Sequence, residues 1–220
     1  MTVIEFNFND DWMGEIGRRL GDLNDKTPDV ISQATNSTAR KARKLIVQSL
    51  REHYAEDAKT KEYNAAMKIA RASRKKYDAT IYIRGKVQNL QRFNVSPKDP
   101  PASGSSRPPT TRAQVLLQGG LKELNKDGIK AFITTFKNGD VVVAQRNGSF
   151  YTYHRPTGGI DRHHEAIDKL WSISIPKMAE SQLDPKTVRG NMRDTIQAIL
   201  VEEIEKQIAR QLAKHGGNAG

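Results

Sequence analysis

The 220-residue chain contains no cysteine, which excludes disulfides, thiolate metal sites and a cysteine nucleophile. Aromatic residues make up only 6% of it, and no run of eighteen apolar residues occurs, so no helical membrane span is available. The opening Met1-Thr2-Val3-Ile4-Glu5-Phe6 lacks the positive start and long apolar stretch of a signal peptide, so folding in a cytoplasm is expected. Gly-x-Ser-x-Gly, phosphate-loop and dinucleotide fingerprints are also missing. No catalytic, cofactor-binding or metal-binding residue set is expected, and no enzyme. What is present is 36% hydrophobic and 28% charged residues, the composition of a water-soluble fold with a modest core.

Charge is unevenly placed. Residues 1–37 carry three Lys/Arg against seven Asp/Glu, a net of −4, whereas residues 38–86 carry fourteen against five, a net of +9. The basic residues cluster twice, as Arg40, Lys41, Arg43 and Lys44, and as Arg71, Arg74, Lys75 and Lys76 with Tyr77 and Tyr82 interleaved. Lys and Arg neutralise phosphates, and aromatics can stack on bases, so these eight cations form a candidate interface or nucleic-acid patch. No RRM, OB or helix-turn-helix signature accompanies them. A basic surface meeting an acidic one on a neighbouring subunit is the favoured reading.

Hydrophobic spacing predicts the elements. Asp10-Asp11 can cap a short helix to about Leu23, and Pro28 opens a long helix to about Tyr54 with Val30, Ile31, Ala34, Thr38, Ala42, Leu45, Ile46 and Leu50 on one face. A strand-like pattern runs from Lys68 to Arg84 and is clearest at Ala79–Ile83; one helical turn is expected between Val87 and Phe93. Residues 97–112 hold five of the nine prolines and read as a mobile loop or arm. Val115–Leu117 resumes the sheet, and Ala131–Phe136 with Val141–Arg146 forms a hairpin across Asn138-Gly139, where both turn residues are expected to take positive φ. Pro176 opens a further helix, and the longest helix should follow Asp184-Pro185 to about Lys214. Val188, Met192, Ile196, Ile199, Leu200, Ile204, Ile208 and Leu212 stripe that last helix over ~45 Å, and part of the stripe is expected to pack on another subunit.

The fold class read from this pattern is α+β: a mostly antiparallel sheet packed by the long amino-terminal helix, with a long carboxy-terminal helix. The organisation expected is an acidic extension with a short helix over 1–27, one domain over 28–214 and a flexible tail over 215–220.

Two further clusters carry residue types found in metal or acid–base sites. His163-His164 with Asp168 and nearby His154 has residue types for metal or acid–base work, but adjacent histidines point to different sides and zincin spacing is missing. Glu202-Glu203-x-Glu205 fans over different faces of a helix and reads as a solvated surface, with Glu202 and Lys206 as an i,i+4 pair.

Several patches, in order, carry a family resemblance. They are the basic stretch from Ala39 to Leu45 with Leu50–Tyr54, then Met67–Ser73, then Leu90–Pro97, then AFITTFKNGDVVVAQRNG from Ala131 and the late AIDKLWSISIPKM ending at Met178. Over roughly residues 35–210 this set resembles the phage and prophage minor tail protein Z family, tail-completion components of long-tailed phages. Its signature positions here are Asn138, Gly139, Arg146, Ser174, Pro176 and Met178. The resemblance implies a virion protein, made in the host cytoplasm and placed at the head-proximal end of the tail. It also implies a homo-oligomeric ring of six copies, contacts with tail tube and head–tail connector proteins, and no cofactor or membrane. Nonspecific contact with DNA through 38–86 is the alternative role.

Overall fold

The computed structural model describes residues 1–6, 10–57, 60–102, 110–126, 128–153, 162–183 and 192–216. The fold is α+β, and the chain divides into two compact units. Unit 1 comprises residues 1–50, 59–86 and 174–220, and unit 2 residues 51–58 and 87–173.

Unit 1 holds the helices. α1 (Asp10–Leu20) runs through a 3-10 turn (Gly21–Lys26) into α2 (Thr27–His53), and α5 is described over Met192–Gly216. Residues 184–191, including Val188 of the expected stripe, lie outside the described residues. Ile16 and Leu20 of α1, Val30, Ile31 and Ala34 of α2, and Leu200, Ile204 and Ile208 of α5 form one buried cluster. Leu200, Ile204 and Ile208 of the α5 stripe are thus covered by α1 and α2 within the chain, whereas Met192 and Ile199 are half-buried and Leu212 is 42% exposed.

The small sheet of unit 1 has the order β1-β3-β2, with β1 at Thr2–Phe6, β2 at Met67–Ala70 and β3 at Ala79–Ile83. β1 and β2 each pair antiparallel with β3, so they run parallel to one another. Residues 2–6, read in the sequence as part of an extension, thus supply an edge strand. Alternation sorts the sheet's two faces. Phe6, Ile81, Ile83 and Met67 are buried on one, while Val3, Glu5, Lys68 and Ala70 are exposed on the other. α3 (Thr60–Ala66) leads into β2, and α4 (Ile175–Leu183) packs on β1 and β3.

Unit 2 is built from short strands: β4 (Val87–Asn89), β5 (Asn94–Ser96), β6 (Arg112–Gln114), β7 (Lys122–Glu123), β8 (Asn125–Lys126) and β9 (Ile129–Lys130). β10 (Phe132–Thr135), β11 (Val141–Tyr153) and β12 (Arg162–Lys169) form its main sheet, and β13 (Trp171–Ser174) pairs with β4. The turn expected at Val87–Phe93 is the 3-10 helix Leu90–Arg92, and Asn89 caps it by accepting the Gln91 N–H. Val115–Leu117 does not resume a sheet: Leu116 makes a lone bridge to Tyr54, and Leu117–Gly119 is a 3-10 turn. Of the Pro-rich stretch 97–112, residues 103–109 lie outside the described residues. Its end belongs to the fold, because Thr111 is fully buried and its carbonyl accepts the Leu124 N–H.

The β10–β11 turn differs from the expected two-residue form. Phe136 N–H donates to the Asp140 carbonyl and Gly139 N–H to that of Phe136, and Gly139 takes a positive φ, +84°. This is a three-residue loop with glycine in the left-handed position. β11 also runs past its expected end at Arg146. A bulge between Arg146 and Phe150, containing Gly148 at φ +77°, carries it on beside β12.

Candidate interaction surface

The two basic clusters of the sequence lie close together in unit 1. The segment after β2 is tied to α2 by Asn36, whose Nδ2 donates to the Ala72 carbonyl at 3.0 Å and whose Oδ1 accepts the Ala72 N–H at 2.9 Å. Ser73 Oγ accepts from the N–H groups of Lys75 and Lys76, which closes a turn. Arg74 then clamps Asp29 through Nε and Nη2, both at 2.5 Å. Fixed in this way, Arg71, Lys75 and Lys76 are exposed. Arg40 and Lys44, also exposed, follow Asn36 by four and eight residues on α2 and so extend the same ridge.

Three of the eight candidate cations drop out of this ridge. Lys41 turns to α5, 2.7 Å from Glu203 and 3.6 Å from Glu202. Arg74 is spent on Asp29, which raises its pKa through that hydrogen bond. Arg43 is half-buried, and its Nε has no hydrogen-bond partner among the described residues. Tyr77 packs against the α1–α2–α5 cluster, and Tyr82 lies half-buried with Arg84 5.9 Å over its ring. The aromatic interleaving therefore does not make a free stacking platform.

The carboxylate run on α5 is solvated only in part: Glu202 and Glu205 are exposed, as expected, and Glu203 is not. Glu203 is 1% exposed. Burial pushes its carboxyl up, but hydrogen bonds from Lys41 and Ser37 outweigh that and hold it below the usual carboxylate range. Glu205 takes a bidentate pair from Arg19, which lowers its pKa and raises that of Arg19. The three acids thus tie α5 to α1 and α2 by different faces, and Glu202 reaches Lys41.

The histidines fall on β12, both exposed. His163 Nδ1 meets Thr152 Oγ1 at 3.1 Å, and the ring of His164 stacks on Tyr151 at 5.7 Å between centroids. Asp168 accepts from Asn147 Nδ2 instead. Among the described residues no group of three His, Asp or Glu converges as metal ligands; His154 lies outside them.

The signature positions serve local structure. Asn138 Nδ2 donates to Asp140 in the turn that Gly139 permits. Arg146 pairs with Glu165 at 3.1 Å and lies 5.7 Å over the Phe132 ring. Ser174 Oγ accepts the Lys177 N–H, the side-chain cap that starts α4. The Pro176 carbonyl accepts from Thr2 Oγ1 at 3.0 Å, and Met178 is fully buried. Sequence reading missed Lys68 and Glu5. The alternation of β2 and β1 carried the signal, but each strand has five residues or fewer.

The described residues of unit 1 thus present a basic ridge and two outer sheet edges. Residues 16–215 match the prophage minor tail protein Z family, so the chain belongs to it and is a structural phage tail protein. No curated protein and no solved structure matches the chain. Among the described residues no helix is long and apolar enough to cross a membrane.

Proposed function

We propose that this chain is a non-enzymatic tail-completion subunit that closes into a ring, with six copies to match the tail tube. The ring finishes the head-proximal end of the tail and makes it competent to join the head through connector proteins. The family match across residues 16–215 carries this reading. A ring needs two different surface patches that meet head to tail, and unit 1 offers two unlike strand edges. The mass of the purified protein, alone and mixed with tail tubes from a mutant lacking it, tests the proposal. A closed oligomer, or binding confined to tube ends, is the expected result; a monomer that ignores tubes refutes it.

The basic ridge supports a second reading, contact with DNA at the tail–head junction. Arg71, Lys75 and Lys76 have no acidic partner among the described residues, so they remain available to phosphates. If they bind duplex DNA, the triple variant Arg71→Glu, Lys75→Glu, Lys76→Glu should flatten the slope of log K against log salt by about 3. An unchanged slope would remove the ridge from DNA binding.

A further inference from the structure

The geometry points to a specific joint between copies: the β2 edge of one chain adds, in parallel, to the β1 edge of the next. This inference rests on the ring reading and names the surfaces that close it. In the order β1-β3-β2 both outer strands lack a neighbour on one side among the described residues. Because β1 and β2 run parallel, head-to-tail copies bring β2 beside the next β1 in a single orientation, and one continuous sheet can pass from copy to copy. An unpaired edge exposes backbone groups that such an addition satisfies.

Space and charge both fit a second copy. A groove of about 930 Å³ runs along β1, walled by Leu183 of α4 and Ile196, Gln197 and Leu200 of α5. Residues from both faces of β1, Met1 through Phe6, line it, which sets it along the strand's free edge. An extended segment enters such a groove as a strand. On the outer face of the sheet, β1 presents Glu5 and β2 presents Lys68, both exposed and neither paired among the described residues. Lysine alone on a short edge strand guards against pairing. Here the opposite charge stands on the opposite edge and the same face, so each edge accepts the other and rejects itself. Registers that set Lys68 beside Val3 or Glu5 of the next copy keep the row of Met67 and Ile69 on the core side with Ile4. A one-residue slip would turn Lys68 inward, so Ile4 is excluded as its neighbour.

Absence of native cysteine makes the joint directly testable. Side chains adjacent on parallel strands lie about 4.8 Å apart, within disulfide reach. Full-length K68C is mixed with V3C, E5C or I4C, oxidised, and resolved without reductant, with the mass of each mixture before oxidation measured alongside. Disulfide-linked chains from K68C with V3C or E5C, and none with I4C, are expected. K68E should shift the assembly towards monomer and the double variant E5K/K68E should restore it. An assembly of unchanged mass that yields no link with V3C or E5C overturns the edge joint while the ring reading stands. A wild-type chain that stays monomeric beside tube ends overturns both.

Discussion

Ile204→Ala should destabilise unit 1 by about 2–5 kcal/mol, whereas Leu212→Ala, two turns along the same helix, should change stability by less than about 0.5 kcal/mol. Ile204 is 2% exposed among Ile16, Leu20, Val30 and Ile31, and removing its side chain leaves a cavity that three helices cannot all collapse to fill. Leu212 is 42% exposed and loses little. The probe is at hand, because Trp12 packs partly against this cluster and the second tryptophan, Trp171, belongs to unit 2. In a Trp171→Phe background, urea titration of Trp12 fluorescence follows unit 1 by itself. Equal effects at the two positions would mean that Leu212 is covered in the assembled protein and that the stripe reaches a neighbour.

The Lys41–Glu203 contact should be lopsided. Lys41→Met leaves a carboxylate that is 1% exposed with Ser37 as its remaining hydrogen-bond donor, and should cost about 1–3 kcal/mol at neutral pH. Glu203→Gln leaves a lysine side chain that is 41% exposed and readily hydrated, so its cost should be smaller. The pH dependence separates the two further. Glu203 has a lowered pKa in the native chain, so its contribution is present above the unfolded value of about 4.3 and is lost as pH falls through the folded value. Without Lys41, burial is the dominant influence and raises that pKa. Lys41→Met should then regain stability relative to the parent as pH falls and the carboxyl protonates. Unfolding midpoints between pH 3 and 7 for the parent and both variants check the sign, and parallel curves would show that Glu203 is solvated in the folded chain.

Much of the architecture was legible from local pattern. The period of Val30, Ile31, Ala34, Ile46 and Leu50 marks a helix with one buried face, and α2 spans Thr27–His53. Ala79–Ile83 is β-branched and apolar enough to announce a strand, and it is one, though its central place in the sheet comes from the structure. β12 was not legible, because its first residues are polar in succession and His163 and His164 are both exposed, with no apolar face to create an alternation. β1 was hidden for a related reason: five residues are too few to show a period, and their partner lies some eighty residues away, Thr2 opposite Ile83. The candidate patch was legible only as composition. Lys41 and Lys44 look alike in the sequence, yet one faces Glu203 and the other faces outward.

By itself, then, the sequence determined the class, the long helices, the strand at Ala79–Ile83, the turn glycine and the family, since each depends on residue type and spacing within a few turns. Tertiary structure decided which cations stay available, which carboxylate is buried, and that the first six residues become a sheet edge. Those outcomes depend on pairings between distant segments, of β1 with β3 and of α5 with α1 and α2, and a helix period or strand alternation says which face is buried but not against what.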